Sequence, residues 1–434
     1  MTMDITIEKL IYGGDGLAHH EGAAVFVPFV LPAERVEATA IETKKKFVRA
    51  QLDRVVQASP ERVAPPCPHF GDCGGCHYQH IPYERQLEYK SDILRETLRR
   101  IGRVEWTGPI VAHGSPPWGY RNRAQWKVRP LGERDGDKKS AAPVGIGYFR
   151  ANSTALCAVT ECAILSPGLQ RALQALRKGA GAGELPVQLR EVEAFSAESA
   201  EGEDAGLLLT ATFAGYPARA AELAEKIRSM VPGAASVVFH DPGRDRMELF
   251  GPGWVECEAA GEKFRVGHFS FFQVNRFLAG ELAKEVIANA QGRLALDLYA
   301  GVGLFAVPLS RKFGRVVAVE SNPAAGRDLE TNARGAGPIE ARTSDVERFL
   351  ERYKEKPDLV VIDPPRDGMD QGALTRLGRI APAEIVYVSC EPPTLARDLA
   401  VLIAAGYELS DLHLFDLFPQ TFHMESVVRL RRRA

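Results

Sequence analysis

Over residues 1–58 apolar and polar positions alternate in short stretches: MDITIEKL, AAVFVPFVL, RVEATAIE and FVRAQLDRVV, parted by turn signals such as GGDG and HHEG. Short strands at regular spacing with Gly-rich turns predict a small antiparallel barrel. The Pro-rich run SPERVAPPCP ends this unit. A helical stretch follows from about Tyr83 to Ile101. A mixed segment then runs to about Pro252, with strand candidates AQWKVRP, VGIGYFR and GLLLTATFA. Inside it, the Gly/Ala-rich run near Lys178 and the acidic stretch EVEAFSAESAEGEDAG read as exposed loop or insertion. From about Leu294 the pattern becomes strand–helix alternation. The strand candidates are RLALDLYA, RVVAVE, IEARTSD, DLVVIDPP, EIVYVSC and YELSDLHLF, with helical stretches such as PAAGRDLETNARGAG and TLARDLAVLIAAG between them. That order predicts a mostly parallel, doubly wound sheet whose ligand sits beyond the carboxyl ends of the strands. The chain therefore divides into a barrel (1–58), a central α+β part (59–252) and a Rossmann-like C-terminal part (253–434). The helical stretch near 83–118 is able to pack on the last of these.

Composition adds limits. The 434 residues, 45% hydrophobic and 25% charged, match a soluble globular chain rather than a disordered one. No apolar run approaches the ~20 residues that cross a bilayer. Asp4 and Glu8 stand where a signal peptide needs a basic start and an apolar stretch, so a cytoplasmic location without membrane contact is expected. A net charge of −2 excludes a uniformly basic coat, though not local patches. In such a chain, seven cysteines read as ligands or nucleophiles rather than disulfides.

The string DLYAGVG closes the first strand of the C-terminal part, and Gly301 and Gly303 let backbone approach a ligand. The run GVGLFA also fits a loose dinucleotide fingerprint with an acid at Glu320, so NAD binding competes here. Acids at successive strand ends shift the balance to S-adenosylmethionine. Asp297 precedes the glycines, Glu320 is placed to take both ribose hydroxyls, and Asp363 opens DPPR at the fourth strand end.

A cysteine in an apolar strand is ordinarily a small core hydrophobe. Cys390, however, ends EIVYVSC just before EPPT opens a helix, whose dipole favours thiolate. Further on, FDLFPQTFHME sets Glu425 between two strand-like segments; His423 beside it reads as a structural histidine. A thiolate, a carboxylate base and a methyl donor are the minimum for methylating carbon 5 of uracil. Addition of the thiolate to carbon 6 makes carbon 5 nucleophilic, and the carboxylate then removes the carbon 5 proton.

Cys67, Cys73 and Cys76 crowd into ten residues with two glycines, a metal or cluster signature. Zinc could complete its tetrahedron with His69, His77, His80 or a distant cysteine, whereas an iron–sulfur cluster prefers a fourth thiolate.

DPPRDG, IVYVSCEPPT and FDLFPQTFHME, in that order and spacing, resemble the RNA (uracil-C5)-methyltransferases. The resemblance covers nearly the whole chain. It implies Cys390 as nucleophile and Glu425 as base, with S-adenosylmethionine contacts at Gln273 (in SFFQVN), Tyr299, Glu320, Asp363 and, as a weaker match, Asp345. It also implies an iron–sulfur cluster, expected to be 4Fe-4S, because PHFGDCGGCHYQH is similar to the cluster-bearing members. Their fourth cysteine lies in a string matched here by CAILSP, which selects Cys162; Cys157 is the second choice, and Cys257 reads as core. GGDGLA followed by FVPFVLPAE resembles a TRAM domain, an RNA-binding barrel of the OB type. Two positions depart from the pattern. Glu391 stands where the family usually has Asn, and Leu304 where some relatives carry a polar donor-binding residue.

Barrel plus cluster resemble the ribosomal-RNA branch and imply a uridine of 23S ribosomal RNA as target. A transfer-RNA uridine is the alternative, and a non-catalytic RNA-binding protein is the alternative of another class. A monomer without an obligate protein partner is expected. Between Arg85 and Arg129, ten Lys/Arg stand against Glu88, Asp92, Glu96 and Glu105, interleaved with Trp118, Tyr120 and Trp126. That mixture suits phosphate contacts and base stacking.

Overall fold

A computed structural model describes residues 2–130, 144–203 and 205–433. At the N-terminus six strands form one sheet, in the order Thr2–Thr6, Arg35–Thr43, Phe47–Gln57, Ala23–Val27, Gly16–His20, Lys9–Leu10. Alternation directs Met3, Ile5, Val25, Val27, Val36 and Ala38 into its core. The sheet curls on itself where the Glu8 N–H donates to the Leu17 carbonyl at 2.8 Å. Lys44–Lys46 form the exposed tip of the longest hairpin.

The central sheet has seven strands, Leu156–Ala158, Val144–Phe149, Arg123–Pro130, Leu189–Ser196, Leu207–Phe213, Ala234–Asp241 and Arg246–Phe250, in that spatial order. Two expectations fail here in part, for among the described residues only 182–184 of the Gly/Ala-rich run and 197–203 and 205–206 of the acidic stretch lie outside helix and strand. The acidic stretch read as loop begins with an inner strand, Leu189–Ser196, paired on both sides. Its Glu191 and Glu193 meet Lys127 and Arg123 of the neighbouring strand. The run near Lys178 is the last turn of a helix, Pro167–Gly181, whose Leu169, Leu173 and Leu176 are fully buried. Ser166 caps it, accepting from the Leu169 N–H.

The C-terminal sheet has eight strands: Ile339–Thr343, Phe313–Glu320, Gly292–Leu298, Leu359–Ile362, Glu384–Ser389, Glu425–Arg432, Tyr407–Phe415 and Val111–His113. The first five run parallel, and Glu425–Arg432 runs antiparallel to both its neighbours. The outermost strand comes from far upstream, and so does the helix Tyr83–Thr97. Leu94 and Leu98 join Leu395 and Leu399 of the helix Pro392–Ala404 in one apolar core. At that contact the backbones nearly touch, because a Cβ on Gly102 would lie 2.4 Å from the Ala396 carbonyl oxygen. Residues 83–113 thus pack as part of the C-terminal unit. Among the described residues no helix is long and apolar enough to cross a membrane.

Candidate active site

Parallel strands deliver their last residues to one edge of the sheet. In chain order, Asp297 is the penultimate residue of the first and Tyr299 follows it, Glu320 ends the second, Asp345 follows the third, Asp363 the fourth and Cys390 the fifth. An antiparallel strand brings its first residue to that same edge, and here that residue is Glu425, with Ser426 paired to Ser389. Reversal of the last strand therefore sets the carboxylate beside the thiol, 35 residues away in sequence (425 minus 390).

In the glycine loop, Tyr299, Gly301 and Gly303 have positive φ of 64°, 56° and 97°. Glu320 holds the loop, accepting from the Gly301 N–H at 2.8 Å and from the Asn322 N–H at 2.6 Å. Asp297 is fully buried, and its carboxyl is pushed well above the usual range by burial and by the charge of Asp363. Tyr299 is half-buried, with its hydroxyl 3.5 Å from Glu347. Gln273 is buried, while Phe269 and Phe271 beside it are exposed. Asp345 heads the helix Val346–Arg352 without spending its exposed side chain on a capping bond. Leu304 is buried in the apolar core.

The thiol and its neighbours form one electrostatic group. Burial pushes Cys390 up to about 12, reinforced by Glu425, Asp363 and Glu391 and opposed by Arg366. Burial and these carboxylates oppose the thiolate that the following helix end favours. Burial also raises Asp363, to about 7, and raises Glu425 well above its ordinary range with help from the Asp363 charge. Glu425 Oε1 is buried with no hydrogen-bond partner among the described residues. A buried carboxyl oxygen without a partner is costly to keep, and here it lies beside a nucleophile. The N-terminal barrel closes one side. The Tyr12 hydroxyl donates to Glu391 at 2.8 Å, and its ring meets Phe422 edge-on. Sequence reasoning missed Tyr12, because nothing local marks a turn residue 379 positions away from its partner.

The strap between the last two strands is held from several directions. Lys90 donates to Asp416 at 2.6 Å with both side chains fully buried, and Tyr120 donates to the Pro419 carbonyl at 2.9 Å. The His77 and Tyr78 N–H groups donate to the Gln420 carbonyl at 2.8 and 3.0 Å, and Gln86 brackets the same residue. His423 packs against Phe422, and burial together with nearby cations lowers it to about 3, so it stays neutral.

Cys67, Cys73, Cys76 and Cys162 line one cavity of about 320 Å³, whose wall also includes Arg121, Arg366, Phe418 and His423. Burial pushes Cys73 and Cys76 up to about 12. Cys157 is buried on a strand and Cys257 lies in the core; all seven cysteines are free thiols.

The basic segment divides between structure and surface. Lys90 is buried in an ion pair, Arg123 and Lys127 are half-buried in pairs, and Tyr120 and Trp126 are fully buried, which removes them as stacking platforms. Arg95, Arg99, Arg100 and Arg103 remain exposed, and Trp118 is half-buried.

Similarity to other proteins accords with this geometry. The tRNA (Uracil-5-)-methyltransferase family pattern matches residues 341–433, and the TRAM domain pattern matches residues 1–52. An RNA methyltransferase of Aquifex aeolicus is 32% identical over 99% of this chain and 98% of its own. The 23S rRNA (uracil(1939)-C(5))-methyltransferase RlmD of Alkalilimnicola ehrlichii is 32% identical over 99% of this chain and 97% of its own. Among solved structures, the tRNA (uracil-54, C5)-methyltransferase of Pyrococcus abyssi, in complex with S-adenosyl-L-homocysteine, is 26% identical. It superposes with a TM-score of 0.76 over 99% of this chain and 100% of its own.

Proposed function

Because the chain belongs to the RNA uracil-C5 methyltransferases, using S-adenosylmethionine to methylate carbon 5 of uracil in RNA, we propose that its target is a uridine of 23S ribosomal RNA and that Cys390 and Glu425 carry the reaction. The observation behind the mechanism is the buried Glu425 carboxyl, its Oε1 without a partner among the described residues, at the strand edge that also carries Cys390. Cys390 as thiolate adds to carbon 6 of the uracil, and the ring electrons move to carbon 5. S-adenosylmethionine, when bound, supplies the methyl group to that carbon. Glu425 takes the original carbon 5 proton, the bond from sulfur to carbon 6 breaks, and Cys390 leaves as thiolate. Arg366 favours the thiolate. A uridine in folded RNA reaches Cys390 only by leaving its stack, at a cost of a few kcal/mol.

Gln273, Tyr299, Glu320, Asp345 and Asp363 are assigned to the donor pocket. Their positions at successive strand ends and the glycine loop pinned by Glu320 support this. Cys67, Cys73, Cys76 and Cys162 are assigned to a 4Fe-4S cluster. All four line one cavity, which suits a cluster that takes four thiolates. The transfer needs no electrons, so the cluster's role is to hold structure.

The substrate assignment rests on the ribosomal-RNA enzymes that match over the whole chain. Transfer RNA is the second reading, favoured by the Pyrococcus abyssi structure. Nucleoside mass spectrometry after incubation with S-adenosylmethionine and unmodified 23S ribosomal RNA or transfer RNA tests both. 5-Methyluridine in ribosomal RNA alone is expected, and product in transfer RNA alone would overturn the substrate.

A further inference from the structure

At the outer edge of the C-terminal sheet, where His113 pairs with Phe415 and Phe415 with Glu425, three metal-ligating side chains converge from distant parts of the chain. His113 lies on the strand Val111–His113, His413 on the strand Tyr407–Phe415, and Glu285 on the helix Ala279–Val286. One ligand atom from each falls within 4.8 Å of the other two, and all three residues are half-buried. His113 Nε2 is 3.0 Å from His413 Nδ1, and His413 Nε2 is 3.4 Å from a Glu285 oxygen. The His113 ring lies flat on Phe415, centroids 4.0 Å apart and planes 2° off parallel, so its direction is set before any ion arrives. Among the described residues no Lys or Arg pairs with the Glu285 carboxylate; Arg429 reaches the Glu285 carbonyl instead. Glu281, one turn earlier on the same helix, is close enough to act on the charge of His113.

We propose that His113, His413 and Glu285 form a zinc site, with water or Glu281 as fourth ligand, that staples the upstream strand to the edge of the catalytic sheet. Two imidazoles and one carboxylate are a donor set suited to zinc, and three protein ligands leave a position for water. The strand Val111–His113 is only three residues long and follows the helix that carries Gln86 and Lys90. A metal there would tie down the segment that holds the strap leading to Glu425. Without an ion the three groups can instead close a hydrogen-bonded chain, and the two readings differ in what zinc does.

The test uses the full-length protein with its cysteine site loaded. After EDTA treatment and return of zinc sulfate, bound zinc per chain is measured by elemental analysis and the melting temperature is followed with and without zinc. Wild type is expected to hold one zinc more than His413→Gln, and zinc is expected to raise the melting temperature of wild type only. Glu285→Gln, a milder change on a surface helix, gives the same comparison should His413→Gln fold poorly. Equal zinc in wild type and variants, or a lower melting temperature in the variants without zinc dependence, would overturn the proposal in favour of the hydrogen-bonded chain.

Discussion

Cys390 stands among groups that oppose its ionisation. Burial acts first, then the charges of Glu425, Asp363 and Glu391, while Arg366 pulls the other way. If thiolate is the reactive form, activity rises with pH as Cys390 ionises, and whatever lowers its pKa moves that rise to lower pH. Glu391→Gln removes one of the raising charges, so the acid limb of the kcat/KM profile is expected to move to lower pH; an unmoved limb would refute this role. Cys390→Ala should abolish 5-methyluridine formation while S-adenosylmethionine still binds in a titration. Glu425→Gln should slow turnover by about 10²–10⁴-fold and leave protein covalently attached to RNA, visible as a slow band on a denaturing gel. Rapid release from that variant would remove Glu425 as the base.

Among the elements, the strap from Asp416 to Met424 carries the site, because it sets where Glu425 begins. Its hold is a fully buried ion pair from the helix Tyr83–Thr97, with backbone bonds from His77 and Tyr78. Breaking one partner of such a pair strands the other charge in a dry interior. Lys90→Ala is therefore expected to cost about 3–5 kcal/mol, measured as unfolding in urea. The double variant Lys90→Met with Asp416→Leu should recover most of that loss, since no charge is left unpaired. A loss below ~1 kcal/mol, the range of exposed pairs, would contradict the buried arrangement.

For the whole molecule, barrel, cysteine loop and catalytic sheet meet at one place. Tyr12 of the barrel bonds Glu391, and the backbone of His77 and Tyr78, next to Cys76, bonds Gln420. The cavity lined by the four cysteines shares Arg366 and His423 with the catalytic side. With the proposed cluster on these cysteines, Cys76→Ser is expected to lose bound iron, melt at lower temperature and bind RNA more weakly. An iron-free protein with wild-type melting and full RNA affinity would sink the structural role of the cluster.

What the sequence alone determined is whatever depends on local pattern. Strand–helix alternation after Leu294, glycines after Asp297 and acids at strand ends follow from short-range chemistry, and they mark the sheet edge that carries the candidate site. So do the thiols of Cys67, Cys73 and Cys76, crowded by their own spacing. What only the tertiary structure decided depends on neighbours far away in the chain. The acidic look of Glu191 and Glu193 concealed an inner strand, because the cations that neutralise them sit on another strand. Lys90, Tyr120 and Trp126 read as an RNA surface until packing buried them. The high pKa of Cys390 comes from burial first and then from carboxylates, of which chain reversal brings Glu425, and Tyr12 reaches Glu391 only because the barrel folds back on the catalytic edge. Local periodicity reports which way a side chain points along its own element, and burial, pairing and charge are properties of what lies opposite.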